Sequence, residues 1–178
     1  MKIIPTPLEG CFELLPEVHQ DTRGSFMETY AKTHLSDTLG ALDFIQENEV
    51  ASSYGVIRGM HYQTPPFAQA KLIRAISGKI IDIAIDLRPK SPTFLKFHRV
   101  ELSGENKKQL FVPKGFAHGY SVISPTAVVL YKVDAPYAPE KEAGLSPLDP
   151  LFNFDWGIEQ GKEKLNQRDR NWPYHEGK

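Results

Sequence analysis

Two histidine-centred segments carry the residue types that could move a proton. In the first, residues 55–63, Arg58 stands three positions before His61. Residues three apart point to opposite faces of a regular strand, but Gly59 between them could form a bulge that re-aims one side chain. A neutral histidine suits a general base near pH 7, because its unperturbed pKa is about 6.5. The segment predicts either a base near a cation or a partly buried histidine beside a surface arginine.

The second segment has a Pro-x-Gly-x-x-His spacing, from Pro113 to His118. It resembles the second motif of cupin barrels, in which the histidine points into the barrel as a metal ligand. Metal-binding cupins also carry a His-x-His pair and a downstream glutamate, whereas this chain reads His61-Tyr62-Gln63 with no glutamate in the next ten residues. Two histidines without a carboxylate make a poor metal site. We therefore predict a cupin-like barrel without a metal.

Chemistry in a metal-free barrel would depend on side chains alone. A carboxylate bonded to a histidine fixes the tautomer of the ring and stabilises the imidazolium. A tyrosine, whose reference pKa is about 10, can return a proton to a carbanionic carbon, and a lysine can place a cation where an enolate oxygen develops. These residue types together suit proton transfer next to a carbonyl group. The candidates are His61, His118, Lys71, Tyr131, Asp82, Asp86 and Asp169.

Short strands are needed to position these side chains, and short apolar runs bounded by proline and glycine predict them. In the clearest hairpin, residues 70–76 and 79–87 flank a Ser-Gly turn, and aliphatic residues alternate with Asp82 and Asp86. This polar row is either a solvated face or the lining of a barrel cavity. The other predicted strands are residues 24–30, 43–52, 56–63, 94–102, 109–112, 118–123 and 126–134.

Helical signals are sparse along the chain. Residues 31–39, followed by Gly40 as a C-cap, predict one helix, and a second short helix is predicted near residues 158–165. Eight or more short strands favour a closed or two-layered sheet over an open one. We therefore predict an all-β, cupin-like jelly-roll barrel with a few short peripheral helices, formed by residues 1–178 as a single domain.

Composition excludes several classes of protein. The chain of 178 residues has 21 basic and 22 acidic side chains, so its formal net charge is −1. It lacks the basic excess that would predict binding to nucleic acid or to a membrane surface. A single cysteine, Cys11, cannot form an intramolecular disulfide and favours a reducing, cytoplasmic setting. Residues 1–10 contain Pro5 and Pro7 and lack an apolar stretch of signal-peptide length, and no apolar run of the chain approaches the roughly 18 residues of a membrane span.

A third group combines charge and aromatic character within residues 21–28. Arg23, Phe26 and Glu28 lie close together there. The segment predicts either an ordinary turn into a strand, with Asp21 beginning the turn and Gly24 supplying a positive φ, or a ligand contact.

In their order along the chain, these motifs resemble the dTDP-4-dehydrorhamnose 3,5-epimerase family, over about residues 3–173. The family resemblance implies a jelly-roll barrel without metal or cofactor that acts as a homodimer on a dTDP-linked 4-keto-6-deoxyhexose, in the biosynthesis of dTDP-L-rhamnose. The matching stretches are residues 21–28, 46–48, 55–63, 69–72, 86–94, 102–109, 113–119, 131–132, 137–140, 149–150 and 167–169.

The same resemblance implies a role for each matching residue. His61 would be the general base, held by Asp169, and Tyr131 would return a proton from the opposite face. Lys71 would stabilise the enolate at the keto oxygen, where His118 helps to bind the sugar. The implied nucleotide and substrate contacts are Arg23, Arg58 and Arg168 near the phosphates, Tyr137 stacked on the thymine with Phe26 nearby, and Gln46, Asn48, Glu28 and Glu142. Some contacts from residues 23–28 would come from the partner subunit.

The chain departs from the family's pattern in two places. After Glu142 the family often has Arg-Gly followed by a tryptophan two residues on, but here residues 143–146 read Ala-Gly-Leu-Ser, and Arg168 stands where lysine is common. Inversion of one carbon only and a CDP-linked substrate therefore stay open. A metal-dependent cupin enzyme and a non-catalytic sugar-nucleotide-binding module are the alternatives from other classes.

Overall fold

Antiparallel strands dominate the chain, which this computed structural model describes for residues 1–40 and 42–175. The strands are β1 (Lys2–Pro5), β2 (Phe12–Leu15), β3 (Val18–Asp21), β4 (Gly24–Met27), β5 (Gln46–Ser53), β6 (Ile57–Gln63), β7 (Lys71–Ser77), β8 (Lys79–Asp86), β9 (Phe97–Ser103), β10 (Gln109–Val112), β11 (Phe116–Val122), β12 (Thr126–Val133) and β13 (Glu142–Gly144). The helices are α1 (Lys32–Leu39), a 3-10 helix (Pro139–Lys141) and α2 (Gln167–Arg170).

Two sheets form the body of the fold. One has six strands in the order β1-β2-β10-β7-β12-β5, and the other has five in the order β13-β6-β11-β8-β9. Strands β3 and β4 pair only with each other, as a separate hairpin. The predicted cupin-like jelly roll is confirmed.

Apolar side chains fill three layers around these sheets. The central layer lies between them and combines Ile73 and Val129 of the six-stranded sheet with Ile80 and Val122 of the five-stranded sheet. A second cluster covers the outer face of the five-stranded sheet, where Ile83 and Ile85 of β8 pack with the chain's later aromatic residues, Phe152, Phe154 and Trp156. A third lies on the outer face of the six-stranded sheet, where Leu35 of α1 packs with Leu14, Leu72 and Phe111.

The polar row of β8 faces the interior of the barrel. Because side chains alternate along a strand, the isoleucines at 81, 83 and 85 point outward to the aromatic cover, and Asp82 and Asp86 point inward, fully buried. Burial alone would raise the pKa of Asp86, but hydrogen bonds from Arg88, Ser91 and Thr93 lower it to about 2. Of the two sequence interpretations, the solvated face is wrong.

Most predicted elements are found within a few residues of their expected bounds, including the hairpin of β7 and β8 and the helix α1 before Gly40. The helix predicted over residues 158–165 is wrong. Gly161 has a φ of +84° there, and the Lys164 backbone bonds to Gly55 and Ile57 instead of to its own segment. None of the helices in residues 1–40 and 42–175 has the length and apolar character of a membrane span.

A bulge in β6 brings Arg58 and His61 to one side of the sheet. His61 lies opposite His118, and Arg58 lies opposite Tyr120. The two residues of β6 between Arg58 and His61 therefore lie opposite a single residue of β11, Gly119. Because of this extra residue, Arg58 and His61 point to the same side of the sheet although they are three positions apart, and both side chains line the same cavity. The bulge that Gly59 suggested in the sequence is confirmed.

Gly59 is required at this bulge for two reasons. Its φ is +141°, and a Cβ atom there would lie 2.5 Å from the Cα of Gly119. We therefore expect Gly59→Ala to lower the free energy of unfolding by about 2–5 kcal/mol, from backbone strain and overpacking together. Urea denaturation would measure the change.

Gly161→Ala is the matched control. Gly161 also has a positive φ, of +84°, but a Cβ there would meet no atom within 4 Å. This variant should lose only about 1 kcal/mol, the cost of a left-handed alanine. Equal losses in the two variants would contradict the close approach of β6 and β11.

Candidate active site

One cavity of about 380 Å³ opens between the two sheets. Both sheets contribute walls to it, and residues just before and within α2 close one side. Eleven of the residues singled out in the sequence line it: Gln46, Asn48, Arg58, His61, Lys71, His118, Tyr131, Tyr137, Glu142, Arg168 and Asp169. The volume lies in the range of small-molecule sites.

His61 forms a short hydrogen bond with a buried carboxylate. The distance from His61 Nε2 to Asp169 Oδ1 is 2.7 Å, and Asp169 is only 1% exposed. The other carboxylate oxygen of Asp169 accepts a hydrogen bond from the Gly59 N–H at 3.3 Å. The N-cap residue of α2, Asn166, accepts from the Asp169 N–H at 2.7 Å. The short helix α2 thus fixes Asp169 against the bulge of β6.

Electrostatics keep Asp169 ionised. Burial alone would raise its pKa, but the hydrogen bond and charge of His61, the Gly59 N–H and the charge of Arg168 together bring that pKa below its ordinary value. An ionised carboxylate accepts the Nε2 proton of His61, which leaves the lone pair on Nδ1. The ring also packs edge-on against Trp172, with centroids 6.2 Å apart. Asp169 and Trp172 therefore hold the His61 ring in one orientation.

A second histidine–carboxylate pair lies next to the first. His118 faces His61 across the β6–β11 pairing, and its Nε2 is 2.8 Å from Asp82 Oδ1. Asp82 is fully buried, and His118 is 8% exposed. Each histidine of the cavity thus engages a carboxylate. Within residues 1–40 and 42–175, no group of three or more histidine, cysteine, aspartate or glutamate side chains is arranged to hold a metal ion.

The opposite wall of the cavity carries a cation and a phenol. Lys71 of β7 and Tyr131 of β12 belong to the six-stranded sheet, whereas His61 and His118 belong to the five-stranded one. Burial lowers the pKa of Lys71 to about 8, although the charges of Glu142 and Asp82 act against it. Burial also raises the pKa of Tyr131, so that its hydroxyl stays protonated at neutral pH. The cavity therefore has a histidine–carboxylate pair on one wall and a protonated phenol on the facing wall.

Arginines and an aromatic ring surround the more exposed part of the site. Arg168 Nη1 donates to Glu142 Oε2 at 2.7 Å, and the Tyr137 hydroxyl donates to the same oxygen at 2.9 Å. Tyr137 is 53% exposed, which leaves ring surface free for stacking. Arg58 Nε donates to Ser52 Oγ at 3.2 Å. The amides of Gln46 and Asn48 bond each other on β5, at 2.9 Å.

Three predicted residues lie outside the cavity of their own chain. Arg23 pairs with Asp21 within the β3–β4 hairpin, and Phe26 of the same hairpin is 70% exposed. Glu28 bonds to His34 Nδ1 at 2.8 Å. Their contact with a ligand, whether within one chain or from a partner subunit, stays a prediction.

Several cavity residues were not singled out from the sequence. They are Val50, Tyr62, Gln63, Gln69, Ile73, Tyr120, Val133 and Asn166. Tyr120 follows His118 by two positions, and this period-two relation was a usable signal. The bulge of β6 lies between Arg58 and Tyr62, so alternation along the strand gave no such signal for Tyr62. Gln63 is buried and bonds to the Phe67, Pro136 and Ala138 backbone, which holds the loops of the cavity together.

The Lys71 ammonium provides a test that needs no substrate. We expect it to lose its proton near pH 8, because burial disfavours its charged form. It should therefore be charged below that pH and neutral above it. The measurement is a ¹³C NMR titration of reductively methylated lysines, with Lys71→Met as the control that identifies the resonance. A Lys71 resonance that titrates above pH 10 would contradict the buried environment.

Comparisons with known proteins identify the family of this chain. The family model described as dTDP-4-dehydrorhamnose 3,5-epimerase matches residues 5–176. A dTDP-4-dehydrorhamnose 3,5-epimerase of Methanothermobacter thermautotrophicus is 40% identical over 96% of this chain and 92% of its own. The crystal structure of the enzyme of that name from Elizabethkingia anophelis NUHP1 is 43% identical and has a TM-score of 0.93, covering 98% of this chain and 96% of that one.

Two further solved structures bear on the reaction. The dTDP-6-deoxy-D-glucose-3,5-epimerase of Legionella pneumophila Philadelphia 1, in complex with dTDP-4-keto-L-rhamnose, is 37% identical with a TM-score of 0.93, over 97% of this chain and 92% of that one. ChmJ, a 3'-monoepimerase from Streptomyces bikiniensis in complex with dTDP-quinovose, is 30% identical with a TM-score of 0.88, over 96% and 86%. With a family model that matches nearly its whole length, the chain belongs to the dTDP-4-dehydrorhamnose 3,5-epimerase family.

Proposed function

We propose that this isomerase inverts carbons 3 and 5 of dTDP-4-dehydro-6-deoxy-D-glucose, which gives dTDP-4-dehydro-L-rhamnose. The observation that carries the proposal is the placement of the His61–Asp169 pair and the Tyr131 hydroxyl on facing walls of one cavity. Inversion of a carbon needs a base on one face of the sugar and an acid on the other. The position of His61 and Tyr131 on two facing sheets supports that assignment.

The proposed reaction is a proton transfer next to a ketone. His61 takes the hydrogen from carbon 3 or carbon 5 as a proton, and the electrons of that C–H bond move toward the carbonyl at carbon 4, which becomes an enolate. Tyr131 then donates its hydroxyl proton to the same carbon from the other face, and the carbonyl re-forms. General acid–base catalysis of this kind contributes roughly 10²–10⁴-fold. The protonated His61 then loses its proton to water and the Tyr131 phenolate regains one from water. Both carbons flank the one ketone, so the same groups can then serve the second inversion.

Lys71 would stabilise the negative charge that develops on the enolate oxygen. Its ammonium is held on the cavity wall without a carboxylate within 4 Å among the described residues. A preorganised cation of this kind is worth a few kcal/mol, about 3 in typical variants. His118, fixed by Asp82, would bind at the same oxygen. The lowered pKa of Lys71 predicts that kcat falls as the pH rises through about 8.

The nucleotide would lie at the more exposed part of the cavity. Arg58 and Arg168 would bind the diphosphate, since guanidinium groups form paired hydrogen bonds with phosphate oxygens. The exposed ring of Tyr137 would stack on the thymine, and Glu142 already positions its hydroxyl. A few local cations suffice for one diphosphate, which is consistent with a net charge of −1.

The proposal includes a homodimer with shared sites. Strand β5 ends the six-stranded sheet, so one edge of this eight-residue strand has no partner among the described strands. The β3–β4 hairpin lies outside both sheets and carries Arg23 and the exposed Phe26. We propose that this hairpin completes the cavity of a second copy. Cytoplasmic location and the absence of nucleic-acid and membrane partners stay predictions from composition.

The segment that departs from the family's pattern does not weaken the proposal. Gly144, Leu145 and Ser146 are buried, and none of residues 143–146 lines the cavity. A Cβ atom at Gly144 would lie 2.5 Å from the Trp172 ring, which packs on His61, so this segment supports the site from behind. Inversion of one carbon is the second candidate, because the 3'-monoepimerase ChmJ has a similar structure.

Deuterium exchange tests the proposed function. In heavy water with dTDP-4-keto-6-deoxyglucose, NMR should show deuterium at both carbons 3 and 5, and the partner reductase should trap dTDP-L-rhamnose. Exchange at one carbon only would establish the mono-epimerase instead. Absence of exchange with competent substrate would exclude both.

Two variants separate the roles of base and acid in that assay. His61→Ala should abolish exchange at both carbons while the affinity for dTDP stays within a few-fold. Tyr131→Phe should still allow exchange, because the base is intact, but should suppress inversion. Activity of His61→Ala within tenfold of wild type would rule out this base. Equal loss of exchange and inversion in Tyr131→Phe would assign Tyr131 another role.

Subunit complementation tests the shared site. Arg23→Ala and His61→Ala should each be weakly active or inactive alone. After mixing and subunit exchange, a heterodimer has one cavity with an intact His61 and the intact Arg23 of the other copy, so about a quarter of wild-type activity should return. Recovery no greater than the sum of the two variants would contradict the proposed dimer.

A further inference from the structure

Tyr120 is a cavity residue that the proposed reaction does not use. It lies on β11, two positions after His118 and on the same face of the sheet, and it lines the cavity. The residue is only 5% exposed. Its hydroxyl is buried without a hydrogen-bond partner among the described residues. Buried hydroxyl groups without partners are uncommon in folded proteins, and those at a binding site point to a ligand.

The surroundings of Tyr120 define what its hydroxyl could bind. Burial raises its pKa to about 12, although the charge of Arg58 and a weak polar interaction with the nearby Ser52 side chain act against this, so the group is a neutral hydroxyl at neutral pH. A neutral phenol both donates and accepts a hydrogen bond, which matches another hydroxyl group better than it matches a phosphate. Opposite Tyr120 in the strand pairing is Asp82, whose Oδ2 is also buried without a partner among the described residues. Two unpartnered polar side chains therefore lie on paired positions of β8 and β11.

The proposed substrate offers two hydroxyl groups on its sugar. Carbon 1 carries the nucleotide, carbon 4 is the ketone, carbon 5 carries the ring oxygen and carbon 6 is a methyl group, so only carbons 2 and 3 carry hydroxyls. The hydroxyl on carbon 3 moves to the other face when that carbon inverts. The hydroxyl on carbon 2 keeps its configuration, so a side chain on a packed strand can hold it throughout the reaction.

Position along the cavity favours the same hydroxyl. Tyr120 lies directly opposite Arg58 in the β6–β11 pairing. Arg58 is a proposed diphosphate ligand, and carbon 2 is the hydroxyl-bearing carbon next to the one that carries the diphosphate. We propose, resting on the proposed function, that the Tyr120 hydroxyl binds the carbon 2 hydroxyl of the sugar and makes the enzyme selective for 2-hydroxylated over 2-deoxy sugar nucleotides.

Calorimetric titration of dTDP-4-keto-6-deoxyglucose and its 2-deoxy analogue tests the proposal. The titrations use the His61→Ala background, so that ligand is not consumed, with and without Tyr120→Phe. The protein that retains Tyr120 should bind the 2-hydroxylated ligand about tenfold or more tightly than the analogue, and Tyr120→Phe should reduce that ratio to within about threefold. The affinity for dTDP alone should be the same in both proteins, because dTDP has no sugar at this position.

Tyr54→Phe is the matched control, since it also removes one phenolic oxygen. Its hydroxyl accepts the Glu159 N–H at 3.4 Å, and Tyr54 does not line the cavity. This variant should keep the full ratio. Tyr120→Phe should fold normally, because it deletes one oxygen atom and keeps the packed ring, and thermal melting checks this.

Three results would overturn the proposal. The first is a ratio of affinities for the 2-hydroxylated and 2-deoxy ligands that Tyr120→Phe leaves unchanged. The second is a Tyr120→Phe variant that changes the discrimination against a 3-deoxy analogue and not against the 2-deoxy one. The third is a loss of inversion in Tyr120→Phe with the ratio intact, which would make Tyr120 a proton donor. Failure of the proposed function is seen separately, as absence of deuterium exchange in the wild-type protein. The titrations need no turnover, so they decide the role of Tyr120 in that case also.

Discussion

The carboxylate of Asp169 ties together parts of the chain that are more than 100 residues apart. It accepts hydrogen bonds from His61 and from the Gly59 N–H, and its own short helix is capped by Asn166. These hydrogen bonds require an ionised carboxylate, and Asp169 is ionised at neutral pH because its neighbours lower its pKa in spite of burial. A carboxyl whose pKa is lowered on folding stabilises the protein above its unfolded pKa, and that stabilisation is lost as the pH falls through the folded value. The orientation of His61 thus depends on a group whose charge is present throughout the neutral range.

The two sheets place the other side chains of the site around the oriented His61, on two sides of one cavity. The five-stranded sheet presents His61, His118 and Arg58, and the six-stranded sheet presents Lys71 and Tyr131 across the cavity. A single open sheet would place all of these side chains on one side of a bound ligand. The glycine pair at 59 and 119 matters because close approach of β6 and β11 lets one bulge bring His61 and Arg58 to the same side of the sheet.

Sequence reasoning succeeded where a pattern is local and failed where it is not. The β7–β8 hairpin was predictable because isoleucines alternate with polar residues, and the bulge was predictable because a glycine stands between Arg58 and His61. The approach of Asp169 to His61 has no local signal and was expected only from the family resemblance. Strands β1, β2, β3 and β13 and helix α2 have at most four residues each, too few for a period to show. The polar row of β8 fitted two interpretations until its surroundings were known.

The most direct test of this account is the rate of deuterium exchange in Asp169→Asn. An asparagine keeps the size of the side chain but no longer fixes the tautomer of His61 or stabilises its imidazolium. We expect exchange at carbons 3 and 5 to fall by about 10²–10⁴-fold, with the melting temperature showing a folded protein and with dTDP affinity within a few-fold of wild type. Exchange within tenfold of wild type in the folded variant would contradict the claim that Asp169 makes His61 a base.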